Sequence, residues 1–556
     1  MIPLMLRFPL LPSPVCGRGL LVALLIQAAL PAAPQTASQP AAGGYRIAGR
    51  VVNAVTGEPV RRATVAALAE DSSQIVRSVQ SDADGGFVLE SLPAGKYPLT
   101  ASKRGFITAF YDEHDDFNSA IVTGEGQDTG HLVFRLSPGA VLRGVVTADG
   151  GDPVENAGVG LYKRQAASGE GAASGQVTPF ETTTSDDTGA YEFSNLPAGE
   201  YLLAVMSSPW YAMHPPRSRA SGGGNEEASP LDVVYPVTYY DSTTEEDSAS
   251  PIVLGPGARE EADLSLHAVP ALRLQVPVLQ KENGIARPEL RQTVFGVQVS
   301  NESAGFLDAL QAGFVEFTGI APGHYELMHG DPPRIVELDA TSSQAIDATA
   351  GTPAVTVAGT LRTTSGAALP ENVILTLEPV GGPGRSIMQT NARKGQFQFD
   401  AVAPGAWSLS ALNQGNPLPV VTVSTGGAAI AGNQITVKDR PLSLLARVSG
   451  SLLRIKGFAR NQGKGEAGAM IVLVPRQPSA YRALVRRDQS DSDGSFTLRD
   501  VPAGQYTVVA IEDGWRLDWA RRDTMARYLP HGVAVTVPDR GEAVVSLPVP
   551  VPVQAR

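Results

Sequence analysis

Cysteine is all but missing: 556 residues hold one, Cys16. A single thiol can close no internal disulfide, so the cores must hold by burial alone, which suits domains of about 100 residues. Histidine is scarce as well. The seven (His114, His131, His214, His267, His324, His329 and His531) form neither His-Glu-x-x-His nor His-x-x-Glu, the spacings that would point to a zinc peptidase. The closest pair, His324 and His329, follows a turn and reads as surface and strand positions. No Gly-x-Ser-x-Gly elbow is present for a serine hydrolase. Helical periodicity of useful length is absent. The formal charge of −12 argues against nucleic acid or an anionic membrane surface as partner and reads as a solubility feature.

The one long apolar run, Gly19 to Leu30, follows Arg7 and Arg18 and precedes the small residues Pro31-Ala32-Ala33. That order predicts a signal peptide over residues 1–33, too short for a comfortable membrane span. Cys16 lies before the apolar core rather than after it, which disfavours an acyl anchor there, and cleavage would remove it. A linker rich in Ala, Pro, Gln and Ser follows over 34–44.

What the sequence has is a repeat. Ser81–Tyr97 (SDADGGFVLESLPAGKY) returns as Ser185–Tyr201 and Ser490–Tyr506, with worn copies at Gly313–Tyr325 and Gly395–Trp407. The paired glycines keep one spacing: Gly85/Gly95, Gly189/Gly199, Gly313/Gly323, Gly395/Gly405 and Gly494/Gly504. An aromatic stands two residues after each second glycine. A repeat of this kind defines the architecture. Asp84-Gly85 predicts a tight turn; Phe87, Leu89 and Leu92 predict a half-buried strand; Pro93-Ala94-Gly95 turns the chain into another. Each unit opens on an alternating strand, usually around a glycine (Gly49, Gly144, Gly359, Gly457), and most are expected to close on a hairpin, such as Ile121–Leu136 or Ile252–Leu266. Strands at regular spacing with turns between them predict an all-β tandem array of about five sandwiches. The expected bounds are 45–137, 138–268 with a long insertion at 205–249, degenerate units at 269–349 and 350–449, and a last unit at 450–556.

These motifs carry a resemblance. The opening Ile-x-Gly-x-Val, the turn with Gly57, Pro59, Val60, Ala63 and Val65, and the Asp-x-Asp-Gly-x-Phe…Leu-Pro-Ala-Gly-x-Tyr signature resemble carboxypeptidase regulatory-like domains. Those are transthyretin-like sandwiches, similar to Cna-B-type repeats of bacterial surface proteins. The resemblance is strong in units one, two and five and weak in three and four, and it speaks to fold far more than to function. It implies a non-catalytic exported bacterial array. The alternative it leaves is an accessory subunit or relative of a metallocarboxypeptidase or of an outer-membrane receptor system.

Three features outside the scaffold carry candidate chemistry. The acidic pairs Asp82/Asp84, Asp186/Asp187 and Asp491/Asp493 have the oxygen donors calcium favours, but turn chemistry accounts for them and no metal is expected. Asp112–Asp116 (DEHDD) reads as a solvated loop. Gly463–Gly468 (GKGEAG) spells a dinucleotide fingerprint, yet strand residues follow it, so it reads as a turn. The candidate ligand contacts are Trp210 and Tyr211 in the insertion and Trp515 and Trp519 among arginines of the last unit, since rings on loops can stack on sugars or pack on a protein. The same rings could instead cover a junction between units. The expectation is an exported protein with no enzymatic activity and no cofactor, periplasmic, cell-surface or extracellular, binding a polysaccharide or an envelope protein. The chain stops just after Val549–Val553 with no sorting signal or span, so retention at a surface would need a partner.

Overall fold

In the first unit the strand Tyr45–Asn53 turns Ile47 and Val51 inward and carries the rest of the architecture. It pairs antiparallel with the signature strand Gly86–Leu92 and parallel with Leu132–Leu136. A second sheet of Ile75–Gln80, Thr64–Leu68, Leu99–Ser102 and Ala109–Phe110 faces it. Between them lie Ile47, Val65, Phe87, Leu89, Leu99 and Phe134. This computed structural model describes residues 44–556 apart from 71, 165–176, 215–228, 278–279, 282–283, 286–287, 302–312, 331–332, 348, 381–386, 414–415, 426–429, 450–451, 478–483, 520 and 539–542. The proposed signal peptide and nearly all of the linker lie outside the described residues.

The same plan returns four times. Ala140–Thr147, Leu272–Pro277, Val355–Thr363 and Leu453–Asn461 each pair antiparallel with their own signature strand. Each also takes a parallel partner from the end of its unit. Among the described residues each unit has its own apolar core, within residues 47–136, 140–266, 272–346, 355–448 and 453–551. Two further clusters bridge units, one joining Tyr162 and Tyr239 to Phe295 and one joining Phe117 to Trp515 and Trp519. The protein is a tandem array of five β-sandwiches.

The closing segments are not hairpins. Ile121–Thr123 pairs with Gly95–Tyr97, whereas Leu132–Leu136 crosses to the opening strand. Ile252–Leu254 and Arg259–Glu261 divide in the same way. Their strands join opposite sheets because the opening strand would otherwise keep an unpaired edge. The glycine in the opening strand follows from that crossing. A Cβ on Gly49, Gly144 or Gly359 would meet a closing-strand carbonyl oxygen at 2.2, 2.1 and 2.3 Å respectively.

The signature residues hold their own turns. Gly85 has φ +74°, open to glycine at little cost. The buried hydroxyls of Ser81 and Ser185 each accept an N–H (Ala63, Ala157) and donate to a carbonyl (Val60, Val154). The closing aromatic donates to the carbonyl four residues back: Tyr97 to Pro93, Tyr201 to Pro197, Tyr325 to Ala321 and Tyr506 to Pro502. Trp407 does the same through Nε1 to Ala403, at 2.9 Å. The fourth copy therefore changes the ring and keeps the donor.

Candidate functional site

The turn aspartates differ in what they hold. Asp82 Oδ1 accepts from the N–H of Asp84 and Gly86, and Asp186 Oδ1 from Thr188 and Ala190, so each closes its own turn. In the fifth unit Asp493 takes over, accepting from Ser495 N–H at 2.9 Å. Asp491, the counterpart of Asp82, keeps only a 3.3 Å bond from Ser495 Oγ in its own turn and faces another unit. Its Oδ1 accepts from Ala120 N–H at 2.9 Å and its Oδ2 pairs with Lys96 at 2.6 Å. Among the described residues no group of three His, Cys, Asp or Glu side chains converges as a metal site requires.

Asp491 belongs to a contact between the first and fifth sandwiches. The Asp112–Asp116 stretch is largely exposed, with only His114 half-buried, yet Asp112, His114 and Asp115 each also reach across that contact. Gln489 Nε2 donates to the Asp112 carbonyl, Ser119 Oγ donates to the Ser490 carbonyl at 2.8 Å, and Val122 N–H donates to Ser492 Oγ at 2.8 Å. Arg487 pairs with Asp115 at 2.8 Å. The guanidinium lies 3.9 Å from the Trp519 ring centroid and 5.0 Å from that of Phe117. His114 stacks on Trp515, with centroids 5.1 Å apart and planes 11° apart. Trp515 and Trp519 keep only 9% and 1% of their surface, so they are not the exposed loop rings expected of ligand contacts. They sit where cations and rings from two units meet, because Arg487 gains most where water is excluded. The Gly463–Gly468 stretch is a turn, with Asn461 paired to Lys464.

This contact brings the first, fourth and fifth sandwiches around a cleft of about 620 Å³. Lys96, Asp116 and Asn118 line it from the first, Ser410, Leu412 and Asn433 from the fourth, and Asp488, Thr497 and Arg499 from the fifth. Asp488 Oδ2 accepts from Thr497 N–H at 2.6 Å. Loss of water around its carboxyl pushes Asp488 up to about 7 from the ordinary 3.8, Asp491 adds to the rise, and the Thr497 and Gln489 N–H groups and Arg499 oppose it. Burial also raises Asp491. The folded chain thus holds a proton on Asp488 that the unfolded chain releases above the ordinary carboxylate range. Stability from this group is present below about pH 4 and is lost as pH rises to 7. Asp488→Asn is expected to remove that slope: its melting temperature exceeds the wild type's at pH 8 and not at pH 4. A parallel pair of melting curves across that range would show the slope to lie elsewhere.

Trp210 and Tyr211 are elsewhere, at the base of the second unit's insertion. Trp210 is 94% exposed, and Tyr211 packs edge-on against it at 5.7 Å between centroids. Met213 and Leu231 are exposed beside each other, joined by a main-chain hydrogen bond at 2.8 Å. The base is anchored to the third unit: Asp232 accepts from Arg273 at 2.6 Å and contacts His214 Nδ1 at 2.8 Å. Gly222–Gly224 lie outside the described residues. The structure therefore brings Trp210 and Tyr211 together and separates them from Trp515 and Trp519. His324 is exposed and His329 buried on one strand.

With five sandwiches on one plan, the protein is a tandem array of β-sandwich units. Residues 46–137, its first unit, match the carboxypeptidase regulatory-like domain family. No curated protein matches the chain. Solved structures similar to it include a streptococcal ancillary pilin (12% identity, 51% of this chain and 98% of that one, TM-score 0.19). Another is the minor pilin of Streptococcus agalactiae (12% identity, 41% and 97%, TM-score 0.20). A third is the two-repeat B1B2 portion of the Staphylococcus aureus collagen-binding protein (10% identity, 84% and 94%, TM-score 0.13). No helix among the described residues is long and apolar enough to cross a membrane.

Proposed function

We propose that the protein is an exported, non-catalytic array that binds a neutral polysaccharide of the cell envelope or its surroundings through the Trp210–Tyr211 corner. The observation that carries this reading is a tryptophan almost wholly in solvent on a hydrogen-bonded loop base. An exposed indole beside a tyrosine gives an apolar face and a polar edge, the two things a pyranose ring presents in return. The chain's charge of −12 favours neutral over acidic polymers. The regulatory-like match of residues 46–137 supports a binding or spacing role, and the leader read over 1–33 supports export.

The test is retention of the full chain on insoluble neutral polysaccharides beside Trp210→Ala/Tyr211→Ala. The double variant is expected to bind about tenfold more weakly or worse, a difference of about 1.4 kcal/mol. Equal retention would remove the corner from binding. If neither protein is retained on any polymer, the reading passes to an envelope protein as partner.

A further inference from the structure

We propose that the cleft between the first, fourth and fifth sandwiches is a second binding site, for a short neutral oligosaccharide. It uses other residues than the Trp210 corner, and the two sites stand or fall separately. Pockets that bury small ligands measure about 300–1,000 Å³ and favour junctions between domains; this cleft, at about 620 Å³ and walled by three units, meets both conditions.

The lining selects the ligand class. Four basic side chains and five carboxylates surround the space, so an ion of either sign would meet its own charge. The basic groups are already committed, Arg499 to the field of Asp488 and the other three to direct bonds. Lys96 holds Asp491, Arg487 holds Asp115, and Arg486 donates to the main-chain oxygens of Asp500 and Val485. The polar groups that line the space are a mixture of donors and acceptors at close quarters: Asn118, Ser410 and Thr497 with Asp116, together with Asn433 and Asp488. Asn433 Nδ2 donates to Ser408 Oγ at 2.9 Å and its Oδ1 can still accept, while Asp488 takes the Thr497 N–H on Oδ2. A hydroxyl both donates and accepts, so a polyhydroxylated molecule matches such a mixture group by group. Leu412, Leu418 and Pro419 of the fourth unit supply an apolar wall for the C–H face of a sugar ring. The carboxyl of Asp488, which burial inclines to keep its proton near neutrality, can donate as well as accept.

The experiment is calorimetric titration of the full chain with soluble gluco-, manno-, xylo- and N-acetylgluco-configured oligosaccharides. It includes Asn118→Ala/Asn433→Ala, the more conservative Asn433→Asp, and Trp210→Ala/Tyr211→Ala, each checked for an unchanged melting curve. At least one series is expected to bind the wild type. The cleft variants should lose affinity by about tenfold or more, while the corner variant stays at the wild-type value. Absence of binding by every series at millimolar concentration overturns the proposal. So does affinity that survives both cleft variants, or that disappears in the corner variant instead. Failure of polysaccharide retention with the cleft still binding would remove the corner and leave this site standing.

Discussion

Gly144→Ala is expected to destabilise the second sandwich by about 3–5 kcal/mol. The added Cβ would stand 2.1 Å from the Ala262 carbonyl oxygen and 2.9 Å from the Tyr191 hydroxyl. Neither atom can retreat cheaply. Tyr191 donates to that same oxygen, and Ala262 N–H donates to the Arg143 carbonyl at 2.8 Å, which fixes the closing segment against the opening strand. A methyl group there must part the parallel pair formed by Val141–Arg143 with Arg259–Glu261. Unfolding of so large an array is not a single two-state event, so hydrogen exchange is the measurement. Amides of Ala140–Thr147 should lose protection while those of Val355–Thr363 keep theirs. Gly255→Ala in the same unit is the control, because a Cβ there meets nothing within 4 Å. Unchanged protection in Gly144→Ala would mean that the closing segment shifts without loss.

The sandwich plan was legible because it is written five times. A turn glycine, alternating apolar residues and an aromatic at fixed offset are local features, and each fixes a local structure. Why the opening strands carry a glycine was not legible, since the reason is a carbonyl supplied by a segment some 80 to 120 residues away. The contact between the outer units was hidden for the same reason: Lys96 and Asp491 are 395 positions apart. For Trp515 and Trp519 the neighbouring arginines left ligand contact and a junction between units both open; their burial against Phe117, His114 and Arg487 favours the junction. Two signals were present nonetheless. The strand Arg486–Gln489 is wholly polar where an inward residue should be apolar, and two of its four positions are buried. The fifth signature also has Ser495 where the first has Gly86, the change that accompanies the turning of Asp491 toward another unit.

Arg487→Ala is expected to release the first sandwich from the fifth. The guanidinium is almost without solvent, and it is the one group that joins Asp115 and Phe117 of the first unit to Trp519 of the fifth. Truncation removes the ion pair and the stacked cation together. Removing one partner of a buried pair costs about 3–5 kcal/mol, and Asp115, one-third exposed, recovers part of this from water. The links that remain are Lys96 with Asp491, the Ala120 and Val122 N–H groups on Asp491 and Ser492, the bonds of Gln489 to Asp112 and of Ser119 to Ser490, and the stack of His114 on Trp515. All of them reach solvent more readily once the guanidinium is gone. Small-angle scattering should report a larger radius of gyration for Arg487→Ala than for the wild type, with unchanged β-sheet circular dichroism. Arg487→Lys keeps the charge but not the flat face that stacks on indole, so it should fall between the two. An unchanged radius would show that the polar links suffice without the cage. Opening would also take the first unit's wall from the cleft, so oligosaccharide affinity should fall with the same variant while retention through Trp210 persists. The ends of the array would then be joined for a reason: the cleft exists only while they are.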